Sequence, residues 1–199
     1  MAASMKSSRP TLVFADRDGT LVEEVGFLSR AEQLRLIPGV AAAVRRLNEA
    51  RIPLIVASNQ SGVARGLIDP DFAARGGRLM GALLAREDAR IDGYRFCPHH
   101  VEGKPPYNIA CPCRKPGSGM LEAEARERGA SLVGAVMIGD RRSDAETGAA
   151  LGVIPVLVRT GVGREHERDL PADFAERGGC VVADFAAAVD WILKQAAGG

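Results

Sequence analysis

Cysteine is scarce in this 199-residue chain. The four present are unevenly placed and too few for the disulfide framework of a small secreted fold, which points to a reducing compartment and a cytoplasmic protein. No apolar run approaches the ~18 residues of a membrane span. The opening MAASMKSSRP lacks the apolar stretch of a signal peptide and reads as a loose tail over residues 1–10. Charge of one sign is missing too: 26 Lys and Arg against 25 Asp and Glu leave a net +1. No basic field therefore draws nucleic acid or an anionic membrane. Internal repeats and low-complexity linkers are absent, as are G-x-x-x-x-G-K-[ST] and G-x-G-x-x-G, so nucleotide-driven transfer has no support. What remains, 46% apolar and 26% charged, suffices for one cored domain over 11–199, expected to be a monomer.

Strand followed by helix is the recurring unit. Residues 11–15 are rich in strand formers. Val40, Val44 and Leu47 fall at helical spacing over 40–50, after a Pro38–Gly39 break. The run 52–57 (IPLIVA) is continuously apolar, as a strand covered on both faces should be. A helix is predicted over 69–88, although Gly76 and Gly77 each cost it roughly 1 kcal/mol against alanine. A strand at 94–96 leads into a loop rich in Pro, Gly and Cys over 97–119. A helix at 120–128, strands at 135–138 and 153–158, and a closing helix at 185–195 follow. Ser143 and Glu146 have the spacing of a capping box for a helix ending near Gly152. Alternating units of this kind make an α/β fold, a doubly wound and mostly parallel Rossmann-like sheet. Ligands of such sheets bind beyond the carboxyl ends of the strands.

Three apolar runs end in polar clusters: residues 16–20, 58–61 and 139–144. A strand that only filled a core would not end in two like charges two residues apart, as Asp16 and Asp18 do. Carboxylates at alternate positions project in similar directions, so one can attack an electrophile while the other handles the proton. An anionic nucleophile facing a phosphate dianion requires a divalent cation, and Asp16 and Asp140 are natural ligands for Mg²⁺. Ser58 can donate a hydrogen bond to the transferring group, and Lys115 can neutralise its charge. Gly19 lets the backbone bend close to the phosphoryl oxygens.

The segments DRDGT (16–20), SNQSG (58–62), CRKP (113–116) and GDRRSD (139–144) resemble, in order and approximate spacing, the four motifs of the haloacid dehalogenase superfamily of phosphatases. The resemblance covers residues 11–160. It implies Asp16 as nucleophile, Asp18 as acid/base, Ser58 and Lys115 as phosphoryl stabilisers, and Asp140 as metal ligand together with the backbone carbonyl of Asp18. Asp144 matches the second acid of the last motif; it suits either the metal or the dipole of the helix it opens.

Cys97–Pro98–His99 and Cys111–Pro112–Cys113 bracket a loop over 97–115. Three thiolates and an imidazole form a closed tetrahedral set for a structural Zn²⁺. His99 is preferred over His100 because it repeats the one-residue gap of the cysteine pair. Cys180 reads as a buried small apolar side chain. A pinned loop would fix Lys115 and aim Arg114 at the substrate. The stretches CPHH…CPCRKPGSGML and SNQSGVARG look most like the zinc-containing subgroup of that superfamily, the heptose bisphosphate phosphatases and the related histidinol-phosphate phosphatases, which lack a large cap. The resemblance implies a phosphorylated-sugar substrate in a pocket lined by Glu24, Val25, Gly26, Phe27, Ser58, Asn59, Gln60, Ser61, Arg114, Lys115 and Arg141.

Two rivals stand beside it. Histidinol phosphate carries an amine that Glu23 and Glu24 could meet. A receiver-type signalling module also uses an aspartyl phosphate, but there the acceptor follows a middle strand and the paired acids follow the first. Here the presumed nucleophile follows the first strand and has its own acid/base partner, which favours turnover over storage. The run 164–168 reads as a solvated flap in which His166 has no catalytic role.

Overall fold

A computed structural model of the chain describes residues 9–197. Its strands are β1 (Val13–Ala15), β2 (Leu54–Asn59), β3 (Gly93–Cys97), β4 (Val136–Gly139), β5 (Ile154–Val158) and β6 (Cys180–Val182). They form one sheet in the order β3-β2-β1-β4-β5-β6, and every neighbouring pair is parallel. The expected doubly wound sheet is present.

Pleating explains why the strands read as unbroken apolar runs. Successive side chains point to opposite faces. Val13 and Ala15 of β1, Leu54 and Val56 of β2, and Val136 and Ile138 of β4 share one core. Phe14, Ile55 and Met137, the residues between, belong to a second core on the other face. Helices cover both faces, so neither set alternates with polar residues. Each fully buried side chain of this kind contributes roughly 1.5–3 kcal/mol.

The first core is closed by α1 (Val40–Glu49), α3 (Pro70–Ala85) and α7 (Phe185–Ala197). Helix α1 buries Val40, Ala43, Val44 and Leu47, the i, i+3, i+4, i+7 stripe that its sequence predicts. Helix α3 starts at Asp69, whose carboxylate accepts the Phe72 N–H at 3.0 Å, with Pro70 at the first helical position. On the second face Met120, Leu121 and Ala125 of α4 (Gly119–Arg128) are buried. Short helices α2 (Ser61–Ala64), α5 (Arg142–Glu146) and α6 (Gly163–His166) follow β2, β4 and β5.

Several expectations change. Strand β6 was not foreseen: three half-buried residues carry too little pattern to register. Cys180 lies in it and is half-buried rather than fully enclosed. The helix expected to run from Ser143 to Gly152 stops at Glu146, because Thr147 is extended and Gly148 is left-handed at φ 73°. The Ser143–Glu146 box does not form. Arg141 occupies the cap, its N–H donating to Asp144 Oδ2 at 3.1 Å, while Glu146 pairs with Arg142 at 2.6 Å. Of the tail expected over 1–10, residues 1–8 lie outside the described residues; Pro10 is buried, and Arg9 donates to the Ala50 carbonyl. No second domain covers the strand ends among the described residues.

Candidate active site

The strand order reverses at β1, between β2 and β4, where a crevice opens beyond the carboxyl ends. The clusters following β1, β2 and β4 meet there. Their close approach depends on Gly19, at φ +77°: a Cβ at that position would lie 2.2 Å from Asp140 Oδ2. Any side chain would separate the β1 loop from the β4 loop.

The floor holds four ionisable groups out of water. Lys115 Nζ lies 2.9 Å from Asp16 Oδ1 and 2.6 Å from Asp144 Oδ1, with all three residues buried. Burial alone would lower the lysine's pKa, but the carboxylates of Asp144 and Asp16 outweigh it and leave the ammonium more basic than usual. Asp140 is fully buried, and burial together with the Asp16 charge pushes its carboxyl up to about 8. Asp144 is pushed up to about 6 by burial, against the pull of Lys115. Asp144 Oδ2 accepts the Arg141 N–H at the start of α5, and its Oδ1 turns into the charged floor against Lys115.

One carboxylate oxygen from each of Asp16, Asp140 and Asp144 lies within 4.8 Å of the others. Asp140 Oδ2 accepts the Val162 N–H at 3.0 Å, but its buried Oδ1 has no hydrogen-bond partner. Three clustered carboxylates with an unpartnered buried oxygen fit a hard divalent cation.

Above this floor lies a cleft of about 510 Å³, within the range of small-molecule sites. Asp16, Asp18 and Lys115 reach it from below. Glu24, Gly26 and Phe27 line it from the loop after β1, and Asn59, Gln60 and Ser61 from the end of β2. Arg114 and Arg141 complete the predicted wall. Val25 and Ser58 do not line it. Val25 is exposed on the outside of its loop, and Ser58 is buried beneath Gln60, whose Nε2 donates to the serine hydroxyl at 2.8 Å. Arg141 is held by Glu24 at 3.0 Å, a pairing across two loops that spacing could not show. Ile68, Ser143 and His166 also line the cleft and were not foreseen as site residues. Within 164–168, Arg164 and Glu165 are exposed, while the half-buried His166 lines the crevice.

Two more contacts were invisible in the motifs. Arg17, the residue between the paired acids, is 1% exposed and grips both carboxylate oxygens of Asp18, Nε to Oδ1 at 3.0 Å and Nη2 to Oδ2 at 2.8 Å. Asn59 spends both ends of its amide on the backbone of Lys115. An arginine inside a motif is the one signal that could have flagged the first. Nothing local could have shown the second.

The loop after β3 brings Cys97, His99, Cys111 and Cys113 together, with all four ligand atoms within 4.8 Å of one another. His99 Nδ1 lies 3.7 Å from the sulfurs of both Cys97 and Cys113. His100 turns away, its Nε2 facing Arg65 Nη2 at 3.5 Å and its Nδ1 accepting the Glu102 N–H at 3.2 Å. Three sulfurs and one imidazole converging this closely match the donor set of a tetrahedral zinc ion. Arg114, next to Cys113, donates to the His99 carbonyl at 3.2 Å, which ties the cleft wall to the cluster.

A family model described as HAD-hydrolase-like matches residues 112–188. The D-glycero-beta-D-manno-heptose-1,7-bisphosphate 7-phosphatase of Haemophilus influenzae is 38% identical over 163 residues, covering 81% of this chain and 89% of the relative. The D-glycero-D-manno-heptose-1,7-bisphosphate 7-phosphatase of Thermosynechococcus vestitus is 41% identical over 192 residues, covering 93% of this chain and 96% of the relative. The crystal structure of D,D-heptose 1,7-bisphosphate phosphatase from B. bronchiseptica, complexed with magnesium and phosphate, matches with a TM-score of 0.81 at 32% identity, over 92% of this chain and 98% of that one. The parallel sheet, the acids at its strand ends and these relatives agree, and the chain belongs to the D-glycero-D-manno-heptose-1,7-bisphosphate 7-phosphatase family of haloacid-dehalogenase-like hydrolases.

Proposed function

We propose that this enzyme removes the phosphate at C7 of D-glycero-D-manno-heptose 1,7-bisphosphate, leaving the 1-phosphate and inorganic phosphate. The observation that carries the reading is the convergence of Asp16, Asp18 and Lys115 at the floor of one cleft, beside a cluster of three carboxylates. Asp16 attacks phosphorus while the bond to the C7 oxygen breaks, and Asp18 gives that oxygen its proton. Water then attacks the aspartyl phosphate, its proton passes to Asp18, and Asp16 leaves as a carboxylate. Lys115 remains charged throughout and offsets the negative charge on the transferring group. Asp16, Asp140 and the Asp18 carbonyl would hold Mg²⁺, which when bound lowers the repulsion between nucleophile and phosphate.

Glu24, Gly26, Phe27, Asn59, Gln60, Ser61, Arg114 and Arg141 form the substrate wall in this reading. Cys97, His99, Cys111 and Cys113 would hold a structural Zn²⁺, which when bound would fix Arg114 and Lys115. Residues 11–199 act as one domain. A monomer suffices, since every group used comes from one chain, and the four unpaired cysteines favour the cytoplasm. No helix among the described residues is long and apolar enough to cross a membrane.

Histidinol phosphate loses its main attraction, because Glu24 is engaged by Arg141 and by the Gly26 N–H at 2.7 Å, while Glu23 is exposed and does not line the cleft. Phosphate release from the heptose bisphosphate and from histidinol phosphate, each with Mg²⁺, tests the assignment. Clear preference for the bisphosphate is expected; preference for histidinol phosphate overturns it.

A further inference from the structure

The reaction just described requires Asp18 to meet first an oxygen and then a water, and a buried guanidinium stands directly behind it. We propose that Arg17 is a positioning residue for this acid/base step, acting through Asp18 and itself supported by Tyr94; the inference rests on the acid/base reading of Asp18.

Arg17 does not reach the cleft, whereas Asp16 and Asp18 on either side of it do. Its side chain is 2% exposed against 18% for Asp18, so the carboxylate has one wet edge and one edge fixed by protein. The fork-on-fork pairing at 3.0 and 2.8 Å fixes the carboxylate plane as well as its position, which a lysine's single ammonium cannot do. Arg17 Nη2 also donates to Gln60 Oε1 at 3.0 Å, and Gln60 Nε2 donates to Asp18 Oδ2 at 2.9 Å. Arg17 Nη1 donates to Tyr94 Oη at 3.3 Å. A charge taken out of water this completely is costly unless its partners are well placed, and the ion pair by itself gives the fold little.

A second observation comes from α3. A Cβ on Gly76 would lie 2.3 Å from Tyr94 Oη and 3.4 Å from Arg17 Nη1, and one on Gly77 would lie 2.6 Å from the Tyr94 Cβ and Cγ. The helix gives up roughly 1 kcal/mol at each glycine relative to alanine. In return Tyr94 crosses beneath it and its hydroxyl arrives at Arg17. The atoms nearest to such a Cβ at both positions belong to Tyr94, with Arg17 next at Gly76, and the Tyr94 hydroxyl itself donates to the Ala73 carbonyl at 3.5 Å.

Asp18 acts twice. It protonates the departing sugar oxygen as the phosphorus–oxygen bond breaks, and it takes a proton from the water that releases phosphate from Asp16. A p-nitrophenolate group departs without that proton, so p-nitrophenyl phosphate needs Asp18 only in the second step. Arg17→Lys is therefore expected to lower kcat for the sugar bisphosphate by on the order of a hundredfold with KM changed little. With p-nitrophenyl phosphate the same variant should release its first equivalent of phenolate at the wild-type rate and then slow, giving a burst as phosphoenzyme accumulates. Tyr94→Phe, which removes one hydroxyl and leaves the packing in place, should do the same more weakly, by roughly fivefold. Should Arg17→Lys fail to fold, Tyr94→Phe decides.

Equal losses on both substrates without a burst, or unchanged kcat, overturn the positioning role. Asp18→Asn, measured in parallel, keeps the two claims apart. If it shows no contrast between the substrates, the acid/base reading falls; if it shows the contrast and the Arg17 and Tyr94 variants do not, only the role of Arg17 falls.

Discussion

The side-chain amide of Asn59 holds the backbone of Lys115 from both sides: Nδ2 donates to the Lys115 carbonyl and Oδ1 accepts the Lys115 N–H, each at 3.0 Å. Fifty-six residues separate the two in sequence. The contact joins the end of β2 to the far side of the cysteine loop and so sets where the ammonium meets Asp16 and Asp144. Asn59→Ala leaves a buried N–H and carbonyl unpaired, at about 1–3 kcal/mol of stability. Turnover should fall on the order of tenfold as Lys115 loses its anchor. Chemical denaturation and steady-state kinetics on the same variant check both effects, and a loss of stability with unchanged kcat would contradict the second.

Asp16→Asn tests the nucleophile. The amide is nearly isosteric and removes one of the three crowded carboxylates, so the fold should be retained with an unchanged melting temperature. Turnover should drop by at least about a thousandfold. Mass analysis of acid-quenched wild-type enzyme should locate phosphorus on the peptide containing residue 16.

The buried acids give stability a pH dependence of definite sign. Asp140 is pushed up to about 8 and Asp144 to about 6, both above their ordinary 3.8, so the folded chain binds more protons than the unfolded chain between these values. Stability therefore falls as pH rises through that window. A divalent cation that takes the place of the protons reverses the loss. Mg²⁺ should raise the melting temperature more at pH 8 than at pH 5.5, and equal increments at the two values would contradict the metal assignment.

Replacing the two adjacent histidines separates the zinc ligands. His99→Ala removes a donor 3.7 Å from two sulfurs and should lower bound zinc, together with activity, through Arg114. His100→Ala should leave the zinc content of the purified protein unchanged, since that ring faces Arg65 and Glu102. Metal analysis of both variants is decisive; loss of zinc in the second alone would exchange their roles.

The fold was legible because burial on both faces writes itself into a strand as an uninterrupted apolar run, and β1, β2, β4 and β5 all carry one. It failed where pattern is short. The half-buried CVV of β6 and the broken helix after Ser143 depend on neighbours and on a left-handed Gly148, which no periodicity reports. The prediction of paired glycines weakening α3 was sound as local energetics, and its compensation lay in Tyr94, on another element.

What the sequence determined by itself was the inventory of reactive groups: acids at strand ends, a lysine after a cysteine pair, and three thiols with an imidazole. Local chemistry and spacing constrain these because each motif lies within a few residues. Tertiary structure alone decided which of them face the cleft. It put Ser58 beneath Gln60 and Val25 outside, brought in His166 and Ile68, and set Arg17 behind Asp18 and Asn59 against Lys115. The Asn59–Lys115 pairing closes over 56 residues, and the contacts that hold Arg17 against Gln60 and Tyr94 close over 43 and 77. Their energy comes from desolvation and hydrogen-bond geometry, which exist only once the chain has folded.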